Sequence, residues 1–135
     1  MEDDVVQELI VAAREAREKA YAPYSGFKVG AALLTEDDQI YTGCNVENVS
    51  YGLSICAERT ALVKAVSNGQ RVFKAIAVTA DTEDYCSPCG ACRQFLAEFG
   101  PDIKVYLLNR SGEYLIYTTA ELLPRSFNKI EASVL

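Results

Sequence analysis

Two short cysteine-containing segments hold the residue types that metal and acid–base chemistry require. Residues 56–59 read CAER, and residues 87–94 read SPCGACRQ. Each segment is expected to open a helix, where free backbone N–H groups and the positive end of the helix dipole stabilise thiolates. Cys89 and Cys92 share a helix face, and Cys56 can supply a third sulfur where the two helix starts converge. Three protein ligands plus one water make up a catalytic zinc site, whereas a structural zinc site usually has four protein ligands.

Glu58 is the candidate acid–base group. It follows Cys56 by two residues, so its carboxylate can exchange a proton with an activated water without binding the metal. The chain contains no histidine, so proton transfer falls to Asp, Glu, Cys, Lys or Tyr. The alternatives are that Glu58 only complements the helix dipole, and that the cysteines form a structural zinc site or are buried thiols.

Arg59 has an electrostatic argument of its own. A zinc ion with three thiolates carries a formal charge of about −1, which makes it a poor Lewis acid. A guanidinium that donates hydrogen bonds to the sulfurs draws charge off them and restores acidity to the bound water. We therefore expect Arg59 to contact the cysteine cluster.

The other two cysteines are expected to lie outside this site. Cys86 stands three residues before Cys89 and could offer a fourth ligand, which would favour a structural site. Because Pro88 restricts the backbone between them, we predict that Cys86 is a bystander. Cys44 falls on a predicted strand and is expected to be a small core residue.

The elements that position these residues follow from hydrophobic periodicity and turn residues. Short connections at 35–39 and 109–113 make the strands that they join antiparallel, because parallel strands need a crossover of about a dozen residues or more. Two strand–helix–strand units around buried strands imply one three-layer α/β domain over residues 1–135. Strands are expected over 27–34, 40–45, 73–80, 103–108 and 114–118, and helices over 4–20, 55–67, 89–99 and 119–123.

Composition excludes several classes of function. The formal net charge of −6 argues against a nucleic acid polymer as partner, because that affinity depends on Lys and Arg. Five cysteines are an odd count for a secreted disulfide framework, and the start, MEDD, lacks the features of a signal peptide. No apolar stretch approaches the roughly 20 residues of a membrane span. We expect a cytoplasmic protein, in which clustered cysteines more often bind metal or do chemistry.

The cysteine segments match a known pattern. Zinc deaminases carry His or Cys, then Glu two residues later, and then Pro-Cys-x-x-Cys; residues 56–58 and 88–92 are its three-cysteine form. More narrowly, the chain resembles the small homotetrameric cytidine deaminases of pyrimidine salvage. The resemblance covers nearly the whole chain and includes PYS at 23–25, FKVGA at 27–31, GCNVEN at 43–48 and CAERTA at 56–61.

The resemblance implies a role for each matching position. Cys56, Cys89 and Cys92 would hold one Zn²⁺ per chain, Glu58 would carry the proton, and Arg59 would support the ligand sulfurs. Read from the residues alone, Phe27 could equally be core, and the polar residues of 45–47 could belong to an ordinary loop. The implied substrate contacts are Phe27 and the Ala57 backbone for the base, Asn45 and Glu47 for the ribose, chiefly its 3′-hydroxyl, and Tyr51 and Phe127 from neighbouring chains.

The resemblance also implies a fold and a reaction. The fold is an α/β/α arrangement with a five-stranded mixed sheet whose last two strands are antiparallel. The reaction is hydrolysis of cytidine and deoxycytidine to uridine and deoxyuridine plus ammonia, in a homotetramer with shared active sites. The alternatives are a deaminase of a modified aminopyrimidine nucleoside, of the nucleoside antibiotic type, and a non-catalytic zinc-stabilised binding module.

Overall fold

The computed structural model describes residues 3–127. It contains one five-stranded sheet with helices on both faces. The strands are β1 (Val29–Thr35), β2 (Ile40–Cys44), β3 (Phe73–Ala80), β4 (Lys104–Leu108) and β5 (Tyr114–Thr118). The helices are α1 (Asp3–Arg17), α2 (Ala57–Ser67), α3 (Gly90–Ala97) and α4 (Thr119–Leu122), with a 3₁₀ turn at Tyr51–Leu53.

The sheet has the strand order β2-β1-β3-β4-β5. β1 pairs antiparallel with both β2 and β3, β3 pairs parallel with β4, and β4 pairs antiparallel with β5. The mixed sheet and both predicted antiparallel hairpins are therefore confirmed. The parallel pair is joined through α3, as the length of a parallel crossover requires.

Successive residues of β1 face opposite sides of the sheet, and each side carries its own hydrophobic core. Ala31 and Leu33 pack with the core formed by α2 and α3, whereas Ala32 and Leu34 pack with α1. This alternation separates α1 from the other two helices, so the three-layer architecture is confirmed. It also places α2 and α3, which carry the cysteine segments, on the same face.

Gly43 lets β2 lie directly against the first turn of α2. A Cβ atom at Gly43 would stand 2.4 Å from both the Ala57 carbonyl oxygen and the Ala61 nitrogen. Real Cβ atoms do not approach backbone atoms so closely, so a larger residue would push the helix away. The close packing fixes the N-terminus of α2 against the sheet.

Several predicted boundaries differ from the observed ones by one to three residues. α1 ends at Arg17 because residues 18–20 continue as a tighter turn, with backbone hydrogen bonds to residues 15–17. β1 begins at Val29, and α2 begins after Ile55 because Ile55 exchanges backbone hydrogen bonds with Val46, both 2.9 Å long. The predicted tail is described up to Phe127, and residues 128–135 lie outside the described part.

β5 is the edge strand beyond β4, and its apolar residues are exposed. Leu115 and Ile116 are 40% and 50% exposed.

Of the helices within residues 3–127, none is long and apolar enough to cross a membrane.

Candidate metal centre and adjoining cleft

Three cysteine sulfurs meet where α2 and α3 begin. Cys56 is the N-cap of α2, Cys89 is the N-cap of α3, and Cys92 lies in the first turn of α3. The Sγ atoms lie within 4.8 Å of one another, with 3.8 Å between Cys56 and Cys89 and 3.5 Å between Cys89 and Cys92. We call these residues the thiol cluster. Its sulfurs come from both helix starts because both helices pack on one face of the sheet.

The spacing of the thiol cluster fits a tetrahedral metal ion. Tetrahedral zinc with Zn–S bonds of about 2.3 Å places its sulfurs about 3.8 Å apart, close to the two sulfur–sulfur distances above. All five cysteines of the chain are free thiols, so none of the three is tied up in a disulfide. Among the described residues the cluster has three members, which leaves one tetrahedral position for another ligand.

Arg59 lies against the cluster, as its charge argument anticipates. Its Nη2 donates a hydrogen bond to Cys56 Sγ at 3.4 Å. The neighbouring Cys92 thiol, and then Arg59, lower the pKa of Cys56, whereas the contact with Cys56 and burial raise the pKa of Cys92.

Glu58 is a buried carboxyl group beside the thiol cluster. It lies in the first turn of α2 and is only 4% exposed. Burial raises the pKa of Glu58 to about 7, and the nearby charge of Cys56 acts in the same direction. A carboxyl group with a pKa near neutrality both takes up and releases protons readily, which a proton carrier requires.

The two other cysteines stand apart from the cluster. Cys86 is half-buried against the hydrophobic core, its backbone N–H donates to the Leu108 carbonyl at 2.9 Å, and burial raises the pKa of its thiol to about 12. It therefore remains protonated. The prediction that Cys44 is a core residue is wrong: it is half-buried at the end of β2, where its Sγ donates to the Lys19 carbonyl.

A backbone bridge places the end of β2 beside the thiol cluster. Val46 and Ile55 form an isolated antiparallel bridge, so Asn45, which precedes Val46, and Cys56, which follows Ile55, are neighbours across it. The Asn45 Oδ1 accepts from the Val29 N–H and its Nδ2 donates to the Phe27 carbonyl, both at 2.8 Å. Asn45 thus ties the start of β1 to the metal end of the molecule.

Glu47 holds the preceding loop through three hydrogen bonds. Its Oε1 accepts from the Tyr24 N–H at 3.0 Å and the Ser25 N–H at 3.1 Å, and its Oε2 accepts from the Ser25 hydroxyl. The hydrogen bond from that hydroxyl lowers the pKa of Glu47. Tyr24 and Ser25 both belong to the PYS motif, but no substrate contact was predicted for either of them.

Aromatic rings border a cleft next to these polar residues. Tyr24 and Tyr51 pack edge to face, with ring centroids 6.0 Å apart. Together with Ser25, Glu47 and Ser54 they line a cavity of about 370 Å³, which we call the tyrosine cleft. Phe27 is 48% exposed, so it is not the core residue that one interpretation of its position allowed.

Phe127 is held by a single side chain of α3. Gln94 Oε1 accepts from the Phe127 N–H at 3.1 Å, and Gln94 Nε2 donates to the Phe127 carbonyl at 2.7 Å. The Phe127 ring itself is exposed.

Arg93 fixes the loop before Cys89, because its Nε donates to the Pro88 carbonyl at 3.0 Å.

Ala57 is fully buried at the first position of α2. Its backbone N–H has no acceptor within the helix, because the first N–H groups of a helix lack one. The structure brings together the thiol cluster, Glu58 and Arg59, whereas Tyr51 and Phe127 stand exposed on separate segments.

A family model, two relatives and a solved structure all indicate the same family. The family model of the cytidine and deoxycytidylate deaminase zinc-binding region matches residues 3–108. A cytidine deaminase of Sporosarcina psychrophila is 57% identical over 95% of each chain, and one of Halalkalibacterium halodurans is 57% identical over 90% of this chain and 92% of the other. The crystal structure of a cytidine deaminase from Burkholderia pseudomallei superposes with a TM-score of 0.88 at 52% identity, over 94% of this chain and all of the other.

Proposed function

The chain belongs to the cytidine and deoxycytidylate deaminase family, and we propose that it catalyses the zinc-dependent hydrolysis of cytidine and deoxycytidine. The products are uridine or deoxyuridine and ammonia. The observation that carries this proposal is the meeting of three thiols and a buried carboxyl group at two helix N-termini. A structural zinc site needs no proton carrier beside it, so this combination favours catalysis over a binding module.

The thiol cluster holds the metal, and Glu58 moves the protons. A zinc ion bound there acts as a Lewis acid that lowers the pKa of a water molecule. Glu58 takes a proton from the attacking water and delivers it to N3 of the pyrimidine. As the water oxygen bonds to C4, Glu58 takes the remaining proton of the new C4 hydroxyl and gives it to the amine. The C4–N bond then breaks and the C4 carbonyl forms, so one water is consumed and one ammonia is released. The pKa of Glu58, about 7, suits both transfers.

Arg59 supports the thiolates rather than the substrate. Its hydrogen bond to Cys56 Sγ withdraws negative charge from a sulfur ligand. This offsets the excess charge of three thiolates on one divalent ion. We assign Arg59 the role of a positioning and charge-balancing residue.

The surrounding residues are proposed to recognise the nucleoside. Phe27 borders the base, and the free N–H of Ala57 binds its edge. Asn45 and Glu47 bind the ribose, chiefly its 3′-hydroxyl. Support comes from the bridge between Val46 and Ile55, which makes the backbones of Asn45 and Cys56 neighbours.

We further propose a homotetramer in which neighbouring chains complete each pocket with Tyr51 and Phe127. Both rings are largely exposed, at 73% and 58%, as aromatic residues that contact another chain would be. An apolar groove of about 640 Å³ between α2 and α3, bordered by Val63 and Phe95, offers a surface for such contact. Five free thiols fit a cytoplasmic enzyme of pyrimidine salvage, because the cytosol keeps thiols reduced.

One assay tests the proposed activity. The zinc-loaded protein is incubated with cytidine, deoxycytidine and an aminopyrimidine nucleoside antibiotic, and ammonia release is measured. Rapid release from cytidine and deoxycytidine supports the proposal. Release from the antibiotic alone would identify the second class of deaminase, and no release from any of the three would favour the binding module.

A further inference from the structure

The Ser25 hydroxyl links Glu47, which lines the tyrosine cleft, to the backbone of Phe27. It donates its proton to Glu47 Oε2 and accepts a hydrogen bond from the Phe27 N–H at 3.0 Å. A single hydroxyl group therefore connects the residue proposed to bind the ribose with the residue proposed to border the base. No other side chain among the described residues makes both of these contacts.

The hydrogen bonds of Glu47 show how much of this carboxylate remains for a ligand. A carboxylate has about four lone-pair positions. Two on Oε1 are taken by the N–H groups of Tyr24 and Ser25, and one on Oε2 is taken by the Ser25 hydroxyl. One acceptor position is left, which matches the single proton of one sugar hydroxyl.

Asn45 keeps one hydrogen-bond donor, which complements the remaining acceptor position of Glu47. Its oxygen accepts from Val29 and its nitrogen donates to the Phe27 carbonyl, which leaves one N–H donor. A sugar hydroxyl both donates and accepts, so it can satisfy the free positions of Asn45 and Glu47 together. The fit depends on the direction in which the Glu47 carboxylate is held.

We propose that Ser25 is a positioning residue for sugar recognition: its hydroxyl fixes the Glu47 carboxylate and holds it at a set spacing from Phe27. The proposal rests on the proposed function, because it takes the 3′-hydroxyl of a pyrimidine nucleoside as the ligand of Glu47. Ser25 already donates its hydroxyl hydrogen bond to Glu47. It acts through Glu47, whose two remaining N–H partners would let the carboxylate rotate if the hydroxyl were absent.

The test compares two substrates in two variants. Ser25→Ala is expected to lower kcat/KM for cytidine about 10-fold, mostly through KM, because a hydrogen bond to a charged group is lost from the binding apparatus. With 3′-deoxycytidine, which lacks the hydroxyl that Glu47 binds, the same substitution should cost about 2-fold or less. Ser25→Thr retains a hydroxyl and should restore most of the preference for cytidine.

Ser54 provides the matched control. It lines the same cleft, but its hydroxyl accepts from the Asn48 N–H at 3.0 Å and does not contact Glu47. Ser54→Ala should therefore leave the ratio of the two substrates unchanged. Ser25→Cys, which keeps the size but offers a weak donor, gives the same comparison if the alanine variant does not fold.

The possible outcomes distinguish failure of the Ser25 proposal from failure of the proposed deaminase activity. A wild-type protein that releases no ammonia from cytidine contradicts the proposed function; the affinities of uridine and 3′-deoxyuridine, measured by calorimetry, then still test Ser25. If Ser25→Ala lowers activity or affinity by the same factor with and without the 3′-hydroxyl, Ser25 is only structural and the proposal is overturned. Unchanged activity with both substrates overturns it as well.

Discussion

The thiol cluster and the tyrosine cleft are connected by residues 54–56 but differ in how far a single chain completes them. The cluster takes its sulfurs from two helix N-termini that pack on one face of the sheet, and the buried Glu58 lies beside it. The cleft is exposed to solvent, and Tyr51, one of its two tyrosines, is 73% exposed. The chemical half of the site is fixed by the core, whereas the binding half depends on loop contacts and, as proposed, on other chains.

Cys89→Ser should produce the largest effect, because it removes a cluster sulfur that lies 3.8 Å from Cys56 Sγ and 3.5 Å from Cys92 Sγ. We expect loss of most bound zinc and a fall of activity to background, since two thiolates hold zinc far less tightly than three. Zinc is measured by elemental analysis and activity by ammonia release. Full activity in verified zinc-free protein would contradict the role given to the cluster.

Glu58→Gln tests the proton carrier while leaving the metal in place. The amide keeps the shape of the side chain but cannot exchange protons, so turnover should fall at least 10²–10⁴-fold, the range typical of general acid–base groups. Zinc content and thermal stability should remain close to those of the wild type. Near-normal turnover would remove Glu58 from catalysis.

Arg59→Ala tests whether the charge of three thiolates must be offset. Partners of metal ligands typically contribute 10–100-fold to activity or metal affinity, and we expect a loss of about that size in turnover with a smaller loss of zinc. Turnover per bound zinc is the quantity to compare. If that ratio is unchanged, the charge argument is wrong.

Phe127→Ala tests the part of the pocket that a neighbouring chain is proposed to complete. Loss of an aromatic contact with a base costs on the order of 1–3 kcal/mol, so we expect kcat/KM to fall about 10-fold. Co-refolding Phe127→Ala with Glu58→Gln should raise activity above the average of the parents, because mixed tetramers contain pockets with both residues intact.

The control mixture combines Glu58→Gln with Cys89→Ser. Both residues belong to the same chain's part of a pocket, so no gain is expected. Gel filtration checks that the chains assemble. An active monomer, or mixed tetramers without gain in the first mixture, would contradict shared pockets.

Cys86→Ser should have the smallest effect of the series. Cys86 lies outside the thiol cluster and packs against the core, so zinc content should stay the same and activity should change less than about 2-fold. Loss equal to that of Cys89→Ser would indicate four cysteine ligands and a structural site.

Much of the fold could be predicted because its signals are local. Apolar runs predicted all five strands, and β3 and β5 begin and end at the predicted residues. Two short connections were enough to fix both hairpins as antiparallel. The errors lie where tertiary contacts decide: Ile55 pairs with Val46 instead of opening α2, and Cys44 lies near the surface instead of in the core.

The order of residues in the chain supplies the chemical groups: three cysteines of suitable spacing, a glutamate two residues after the first, and no histidine. Periodicity and turn residues depend on near neighbours in the chain, so helix starts could be placed close to Cys56 and at Cys89. Packing in three dimensions makes these starts meet, buries Glu58 so that its pKa rises to about 7, and brings Glu47 to Ser25. Those properties depend on distances between segments far apart in sequence, which are set by packing on the sheet.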